Sequence, residues 1–448
     1  MGNDIKTEEI VLLFDTYSKE SENLHTSFQL AGKNYPVVVI EDDGFLPDGV
    51  SSVYEYFLGE FLPGEHIPGK PRYFNQITVP EYWEISGTNS SGKVHDLNKE
   101  RGRIFYAEPK HKRLVRVVDW YDDRGVVRSS DHYNKYGALY ARTVFNAKGQ
   151  RVNKSYFDAN GTEIVVENFV TKDIILNYEG KVKFFQNKKD FVVFFMQKTG
   201  YAQKRIFFNT LSTSFFVSQA LDGEKGDILF WQEPERNDIP GNMMAILNGV
   251  ASRTTKIMVQ NKKAFEKLLA LGASPEKLYS LGYIYPFKKQ NKHRSKALIC
   301  TNSDRIAECE KIVQALPEMH FNITAITEMS SKLMDMDKYD NVSLYPGIKM
   351  SVLEELFESC DFYFDINYEG EIVSAVQKAF LHNHLIVAFK ETMHNAAYVA
   401  SEHIYTISDV DKMVSDVKMM LLNDELLDQH IVLQHQAAQL ESKEAYKI

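Results

Sequence analysis

The polar side chains whose types and spacing could support chemistry follow apolar runs of strand length. Glu41-Asp42-Asp43-Gly44 and Trp231-Gln232-Glu233 each come directly after such a run, and open α/β sheets usually bind ligands at the carboxyl ends of their strands. A third group lies within six residues of a sheet-like region: Asp131, His132, Asn134 and Tyr136. No neighbouring pattern indicates a nucleophile or a set of metal ligands. The three groups therefore predict hydrogen-bonding surfaces or, more simply, turns and sheet packing.

The composition of the chain excludes several classes of protein. The chain has 448 residues, 44% of them hydrophobic and 25% charged, which is typical of a globular protein of two or three domains. Its net charge of −9 argues against a nucleic-acid partner. The cysteines are odd in number and lack ligand-like spacing, which predicts buried thiols in a reducing cytoplasm. No signal-peptide pattern and no apolar run of about 20 residues is visible, so we expect a soluble, cytoplasmic protein.

Alternating strand and helix patterns toward both ends of the chain predict an α/β protein with two Rossmann-like domains. Helices are expected over 305–316 and 372–381, each after an apolar strand. Five Lys or Arg lie within 288–296 and could contact phosphates or an anionic membrane, although a solvated linker is the simpler interpretation. The predicted division is a first Rossmann-like domain over 1–59 and 181–287, an inserted antiparallel sheet over 60–180, a basic linker over 288–296, a second Rossmann-like domain over 297–424 and a helical tail over 425–448.

The region 60–180 lacks this strand–helix alternation. Its aromatic and β-branched residues instead alternate with polar ones. Three similar segments begin at Tyr121, Phe145 and Phe157. In each, Asp or Asn directly follows the aromatic residue, and Gly lies four positions after the aromatic residue. This pattern favours hairpins whose glycine adopts a positive φ. Residues 101–160 carry thirteen Lys or Arg against six Asp or Glu. The insert is therefore either an ordinary solvated sheet or a basic, aromatic platform for an extended partner.

The second half of the chain resembles retaining glycosyltransferases of the GT-B fold, in which two Rossmann-like lobes face each other. The segment 365–377 is similar to their E-x7-E motif, with Glu369 in the first position and Gln377 in place of the second glutamate. These enzymes also use an Arg and a Lys-Gly pair to bind the diphosphate of the donor, whereas here only Arg305 remains beside Asp304. Loss of such cations removes direct stabilisation of the leaving nucleotide. The resemblance thus implies a relic donor site without a cofactor or metal, formed by Arg305, Glu369, Glu371, Ser374 and Gln377.

The first half resembles a more specific family, GtfB, the stabilising subunits of the accessory Sec O-GlcNAc transferase. The segments that carry this resemblance are 41–49, 72–76, 79–80, 83–89, 131–137, 228–233 and 240–243. It implies a non-catalytic subunit that pairs with a catalytic glycosyltransferase of similar fold in a 2+2 heterotetramer. The pair would glycosylate Ser and Thr of a serine-rich repeat adhesin in the cytoplasm before export, with peripheral membrane association.

This resemblance turns the polar groups into candidate contacts for a Ser/Thr-rich acceptor polypeptide. A disordered, hydroxyl-rich chain is held by hydrogen bonds, stacking and many weak contacts. The candidate acceptor-binding residues are Asn75, Gln76, Trp83, Thr88, Asn89, Asp131, His132, Asn134, Tyr136, Trp231, Gln232 and Glu233. Two alternatives remain open at this point. One is an active retaining transferase that uses Glu369, with Arg305 or Lys311 as the diphosphate cation, and the other is a free-standing carbohydrate- or peptide-binding protein.

Overall fold

A computed structural model describes residues 9–59, 69–223 and 225–448. The chain divides into two compact units, the first ending at Ser280 and the second beginning at Leu281. The predicted start of the insert, at residue 60, lies outside the described residues. Each unit is built around a parallel sheet, so the α/β prediction holds for both.

The first unit begins and ends with the strands of its parallel sheet, and an antiparallel sheet is inserted between them. In chain order its elements are β1 (Ile10–Phe14), α1 (Lys19–Leu30), β2 (Val37–Val39), β3 (Val50–Ser52), α2 (Val53–Phe57), β4 (Glu84–Gly87), β5 (Ser91–Asp96), β6 (Lys99–Tyr106), β7 (Val115–Tyr121), β8 (Val127–Tyr133), β9 (Leu139–Phe145), β10 (Arg151–Phe157), β11 (Glu163–Asn168), β12 (Ile174–Tyr178), β13 (Lys181–Phe185), α3 (Lys188–Lys198), β14 (Arg205–Phe208), α4 (Thr213–Ala220), β15 (Asp227–Trp231), α5 (Gly241–Leu247), β16 (Thr254–Val259), α6 (Lys262–Ala270) and β17 (Leu278–Ser280).

The parallel sheet of the first unit has the strand order β17-β16-β15-β14-β1-β2-β3. The central strands β1 and β2 are continuous apolar runs, as expected for a parallel sheet that is covered on both faces, and both are buried along their whole length. The order reverses between β14 and β1, which is the type of position where such sheets bind ligands. Residues after β1, β2, β14 and β15 therefore share one functional edge.

The inserted sheet is a ten-stranded antiparallel meander, β4 to β13 in sequence order. It packs against the same core as the parallel sheet, where the ring of Tyr54 on α2 stacks on that of Tyr156 on β10 at a centroid distance of 3.9 Å. A smaller core lies under β5 to β8 and contains Val94, Ile104 and Val118. The two cores fix both ends of the insert to buried apolar surface.

The hairpin turns predicted from the aromatic-Asx pattern are confirmed. Gly125, Gly149 and Gly161 all have positive φ values. In each turn the Asx side chain accepts hydrogen bonds from two backbone amides, as Asp158 does from Asn160 at 2.9 Å and Thr162 at 2.8 Å. The local pattern thus determines both the turn type and the length of each hairpin.

The second unit is a six-stranded parallel sheet with helices on both sides. Its elements are β18 (Lys296–Thr301), α7 (Cys309–Ala315), β19 (His320–Ala325), α8 (Ser331–Met334), β20 (Val342–Tyr345), α9 (Met350–Ser359), β21 (Phe362–Asp365), α10 (Ala375–Leu381), β22 (Leu385–Phe389), β23 (Ile404–Tyr405), α11 (Val410–Leu421) and α12 (Asp424–Ala437). The strand order is β20-β19-β18-β21-β22-β23, so the order reverses between β18 and β21.

Two predicted helices begin later than expected, and both differences fall at this reversal. The helix expected from residue 305 begins at Cys309, and the one expected from residue 372 begins at Ala375. The residues in between form non-helical loops, in which Val373 and Ser374 have positive φ values of 49° and 53°. The apolar pattern of a helix continues through these loops because their apolar residues are buried, as Ala307 and Ile372 are, or partly buried, as Ile306 and Val373 are, without being helical.

The basic segment and the tail are both parts of the second unit. Lys289 and Arg294 form ion pairs with the buried Asp361 at 2.6 and 2.8 Å, so this segment is packed against the sheet and is not a free solvated linker. In the tail, Gln434 of α12 accepts a hydrogen bond from the amide of Ile386 and donates one to the carbonyl of His384. The second unit therefore extends from residue 281 to the last helix.

Candidate functional site

The loops after β18 and β21 meet at the point where a nucleotide would enter the second sheet. The amide of Ala307 donates to the carbonyl of Ile366 at 2.8 Å, and the amide of Tyr368 donates to the carbonyl of Arg305 at 3.0 Å. Ile306 and Asn367 thus form an isolated antiparallel bridge across the strand-order reversal. The bridge joins the two loops at the strand-order reversal, which is the position where open α/β sheets usually bind ligands.

The one remaining cation of the relic donor site is paired internally. Arg305 donates to the carboxylate of Glu369 at 2.8 Å, and its guanidinium lies 5.3 Å from the ring centroid of Tyr368. Asn302 also donates to the carbonyl of Gly370 at 3.1 Å. The two residues expected to handle diphosphate and sugar therefore neutralise each other.

Glu371 occupies the N-terminus of α10. Its Oε1 accepts a hydrogen bond from the amide of Val376 at 2.8 Å, and burial raises the pKa of this carboxyl group. Helix N-termini attract anions through their free amides, and here a side chain of the protein provides the anion. Ser374 is exposed at the N-cap position, and Gln377 is half-buried on the helix.

A buried pair beneath this loop was missed from the sequence. His394 Nδ1 lies 2.5 Å from Asp365 Oδ1, and its Nε2 lies 2.6 Å from the carbonyl oxygen of Glu369. The hydrogen bond with Asp365 raises the pKa of His394 to about 9. A protonated imidazole can donate to both oxygens, so it fixes the Glu369 loop to the end of β21. No local pattern around His394 signals this role, because its partners lie 25 and 29 residues earlier in the chain.

In the first unit, the three predicted contacts at the end of β15 lie in different environments. Trp231 is only 2% exposed and belongs to the core of the unit. The side chain of Gln232 accepts from Asn209 at 2.8 Å and donates to Gln260 at 2.8 Å. Glu233 is exposed and pairs with Arg236 at 3.1 Å. Gln232 and Glu233 thus remain at the edge of the sheet, whereas Trp231 packs below it.

The polar group at the end of β8 is divided between the two faces of the insert. Asp131 forms an ion pair with Arg142 and accepts from the indole of Trp120 at 3.0 Å. His132 points to the other face, where it contacts Thr143 Oγ1 at 2.8 Å. Burial lowers the pKa of His132 to about 3, helped by Lys154 and Arg116, so this ring is neutral.

Asn134 and Tyr136 belong to a fourth copy of the hairpin turn. Asn134 Oδ1 accepts from the amides of Tyr136 at 3.1 Å and Ala138 at 3.0 Å, as in the other three turns. Aligning residues 133–137 with the units at 121, 145 and 157 would have revealed this, since the four follow a strict period of 12 residues.

The remaining predicted contacts lie on and before the β4–β5 hairpin. Asn75 is exposed, whereas Gln76 accepts from the amide of Tyr73 at 2.7 Å. Thr88 closes the hairpin turn through its hydroxyl, and Asn89 accepts from Arg113 at 2.8 Å. Trp83 is half-buried, with the guanidinium of Arg101 5.6 Å from its ring centroid. The structure therefore places the predicted acceptor-binding residues at three distinct positions of the first unit.

Other predicted features concern buried thiols, metal sites and membrane spans. Cys300, Cys309 and Cys360 are all buried and free, and burial raises the pKa of Cys309 to about 12. Within residues 9–59, 69–223 and 225–448, no group of three or more His, Cys, Asp or Glu could hold a metal ion. Among the same described residues, no helix has both the length and the hydropathy required to cross a bilayer.

Sequence comparison gives a consistent set of matches along the chain. Four family models match the chain: the GtfB N-terminal domain at residues 11–57, the GtfB middle domain at 83–186, the GtfB third domain at 188–271 and the GftB/GlyA-F C-terminal domain at 297–436. The chain is 42% identical over 435 residues to the UDP-N-acetylglucosamine–peptide N-acetylglucosaminyltransferase stabilizing protein GtfB of Streptococcus pneumoniae serotype 4 (strain ATCC BAA-334 / TIGR4), with 96% of each chain covered.

Two solved structures have the same fold as this chain. A chain of the GtfA/B complex bound to UDP and GlcNAc superposes with a TM-score of 0.92 and 40% identity, over 98% of both chains. TarM superposes with a TM-score of 0.50 and 12% identity, over 99% of this chain and 98% of the other, and that likeness concerns the fold alone. Together with the two parallel sheets, these matches confirm the predicted GT-B-like class.

Proposed function

Because the chain belongs to the GtfB family of transferase-stabilizing proteins, we infer that it is the stabilising subunit of a protein O-GlcNAc transferase. In this proposal it binds a catalytic glycosyltransferase of similar fold, in a complex of two copies of each subunit. It also holds the Ser/Thr-rich acceptor, a serine-rich repeat adhesin, and transfers no sugar itself. The complex works in the cytoplasm and associates peripherally with the membrane.

The observation that carries the non-catalytic assignment is the set of internal contacts between the loops after β18 and β21. A donor diphosphate needs access to these loops, a helix N-terminus and cations. Here a backbone bridge joins Ile306 to Asn367, Glu371 accepts from the N-terminus of α10, and Glu369 is paired with Arg305. A nucleotide would have to displace all three sets of contacts, and it would bring its own negative charge next to two glutamates.

Titration calorimetry of the purified chain with UDP and with UDP-N-acetylglucosamine tests this assignment. We expect no heat of binding at micromolar concentrations, because each contact that a nucleotide needs is already made within the protein. The catalytic partner, titrated in the same way, is the positive control. Micromolar binding of either nucleotide to this chain would contradict the proposal.

The catalytic alternative assigns chemistry to Glu369, so Glu369→Gln separates the two functions. In the reconstituted complex with its partner, we expect the rate of transfer to a Ser/Thr-rich peptide to stay within about twofold of wild type. Loss of transfer on the order of a hundredfold, with the complex still assembled, would instead indicate an active site in this subunit.

The stabilising role is tested by light scattering coupled to size-exclusion chromatography. We expect the mixture with the catalytic partner to elute as one species with the mass of two copies of each chain, and the partner to lose activity faster when it is alone. Separate elution of the two proteins, with unchanged partner stability, would favour a free-standing binding protein.

A further inference from the structure

A small cavity lies between the loops that follow β1 and β2 in the first unit, and the candidate acceptor contacts do not include it. Its volume is about 280 Å³. Its walls are Thr16, Tyr17, Ser18, Glu41, Asp42, Asp43, Phe45, Leu46 and Pro47. It thus combines aromatic and aliphatic walls with carboxylates and a hydroxyl, which is the mixture found in sites for small polar ligands. Its position at the carboxyl ends of neighbouring parallel strands is also typical of such sites.

The walls of the cavity are held in place by contacts from outside it. The hydroxyl of Tyr17 lies 2.9 Å from His25 Nδ1, which fixes the ring. The meander turn supports the other wall, because the amide of Lys135 donates to the carbonyl of Gly44 at 2.7 Å and its Nζ donates to that of Leu46 at 2.8 Å. A side chain at Gly44 would meet the carbonyl oxygen of Tyr133 at 2.7 Å. The cavity is therefore preformed.

The charges around the cavity indicate what it can hold. Lys188 pairs with Glu41 and also with Glu167, and Arg116 lies 3.6 Å from the carboxylate of Asp43. Asp42 is buried and accepts from Gly44 and Ser52. A cation would find carboxylates that already have partners, and an anion would have to compete with Glu41 and Asp43 for Lys188 and Arg116. Hydroxyl groups, in contrast, can donate to the remaining lone pairs of these carboxylates.

We propose that this cavity receives a neutral, hydroxyl-bearing stretch of the acceptor polypeptide and excludes acidic segments. The inference rests on the proposed function and adds a selectivity to it. Tyr17, Phe45 and Pro47 contact the aliphatic parts of the bound chain, and Asp43 accepts from its hydroxyls. The meander turn at Lys135 positions one wall.

The test measures the affinity of the full chain for three labelled peptides by fluorescence anisotropy. One peptide is a repeat of Ser, Thr and Ala, and the other two carry Asp or Lys at every fourth position. We expect the neutral peptide to bind wild type about tenfold more tightly than the Asp peptide, and at least as tightly as the Lys peptide. Thr16→Trp fills the cavity from an exposed position and should weaken neutral-peptide binding about tenfold at an unchanged melting temperature.

Asp43→Asn and Asp123→Asn form the matched pair of variants. Asp43→Asn keeps an acceptor for the amide of Phe45 but removes the charge, so the preference for the neutral over the acidic peptide should fall to near one. Asp123→Asn makes the same change in the β7–β8 turn, where Asp123 pairs with Lys99 and Arg101, and should change neither affinity.

Four results would overturn the proposal. Equal binding of all peptides, or unchanged binding by Thr16→Trp, would mean that the cavity does not hold the acceptor. Tighter binding of the Lys peptide that is lost in Asp43→Asn would make it a cation site. If no peptide binds while the chain still stabilises its partner, the acceptor-binding part of the proposed function fails together with this inference.

Discussion

At the scale of single residues, the relic donor site is a place where side chains have replaced a ligand. Glu371 accepts from the amide at the start of α10, where a phosphate would otherwise bind. Arg305 and Glu369 satisfy each other. A site that is filled in this way contributes to the stability of the fold instead of to binding.

The capping role of Glu371 predicts a measurable cost when it is removed. We expect Glu371→Ala to lower the free energy of unfolding by about 1 kcal/mol, because the amide of Val376 loses its partner. Ser374→Ala is the control, since Ser374 stands at the N-cap without a side-chain cap hydrogen bond. Urea denaturation of both variants measures the difference. Equal stabilities would show that the cap contributes nothing.

His394 predicts a dependence of stability on pH. Its pKa is raised from 6.5 to about 9 by Asp365, so the folded state holds a proton that the unfolded chain loses near pH 6.5. This stabilisation, on the order of 3 kcal/mol, is complete below pH 6.5 and is lost as the pH rises through about 9. We expect His394→Gln to flatten the denaturation profile over this range.

The control for that profile is His320→Gln, because His320 contacts Ser343 and not a carboxylate. This variant should keep the wild-type slope between pH 6.5 and 9. If His394→Gln keeps the slope as well, the Asp365–His394 pair is not its source.

The sequence was sufficient to locate the acidic loop of the relic site but not to describe its contacts. The resemblance of segment 365–377 to the E-x7-E motif was enough to select Glu369, Glu371 and Gln377. The partner of Glu371 depends on where α10 begins, and burial of Ile372 without helix formation hid that start. His394 could not be found, because strand pairing and not sequence distance brings it to Asp365. Trp231 was selected for its position at the carboxyl end of a strand, but it is the last residue of β15 and its side chain packs into the core.

At the scale of elements, the meander is built from one unit used four times. Asp122, Asn134, Asn146 and Asp158 each accept two amide hydrogen bonds in their turns. Three copies of the turn pattern were recognised in the sequence. The fourth was missed because its polar residues, Asn134 and Tyr136, were interpreted as binding residues. The copy that carries Asn134 also supports the loop at Gly44 through Lys135.

This repeat predicts which substitutions its turns accept. We expect Asn134→Ala to lower the free energy of unfolding by about 1–3 kcal/mol, since two backbone amides lose their acceptor. Asn134→Asp should remain close to wild type, because Asp fills the same position at 122 and 158. Thermal denaturation compares the two. An alanine variant as stable as the aspartate variant would contradict this account of the turn.

At the scale of the whole molecule, each unit relies on a buried ion pair in addition to its apolar core. In the first, Arg253 contacts Asp227 at 2.7 Å, and both side chains are almost fully buried. In the second, Asp361 binds Lys289 and Arg294 and so attaches the basic segment to the sheet. Hydrogen bonds from Arg294 and Lys289 lower the pKa of Asp361 in spite of its burial.

Asp361→Asn should therefore loosen the segment 288–296. The substitution leaves Lys289, whose side chain is 7% exposed, without a counter-charge, and such losses cost about 3–5 kcal/mol. We expect faster amide hydrogen exchange in this segment and in β18, with the first unit unchanged. Asp411→Asn breaks the exposed pair with Lys311 and should have an effect below about 1 kcal/mol. Equal exchange in both variants would show that the basic segment is held by other contacts.

The 12-residue period of the meander limits how its length can change during evolution. Each unit adds one strand and reverses the direction of the chain. Insertion or deletion of a single 12-residue repeat would reverse the direction of every later strand. The chain would then leave the sheet, and α3 would begin, at the opposite end. Gains and losses of 24 residues preserve direction, side-chain face and the exit point. We expect length variants of this insert to differ by two hairpin units at a time.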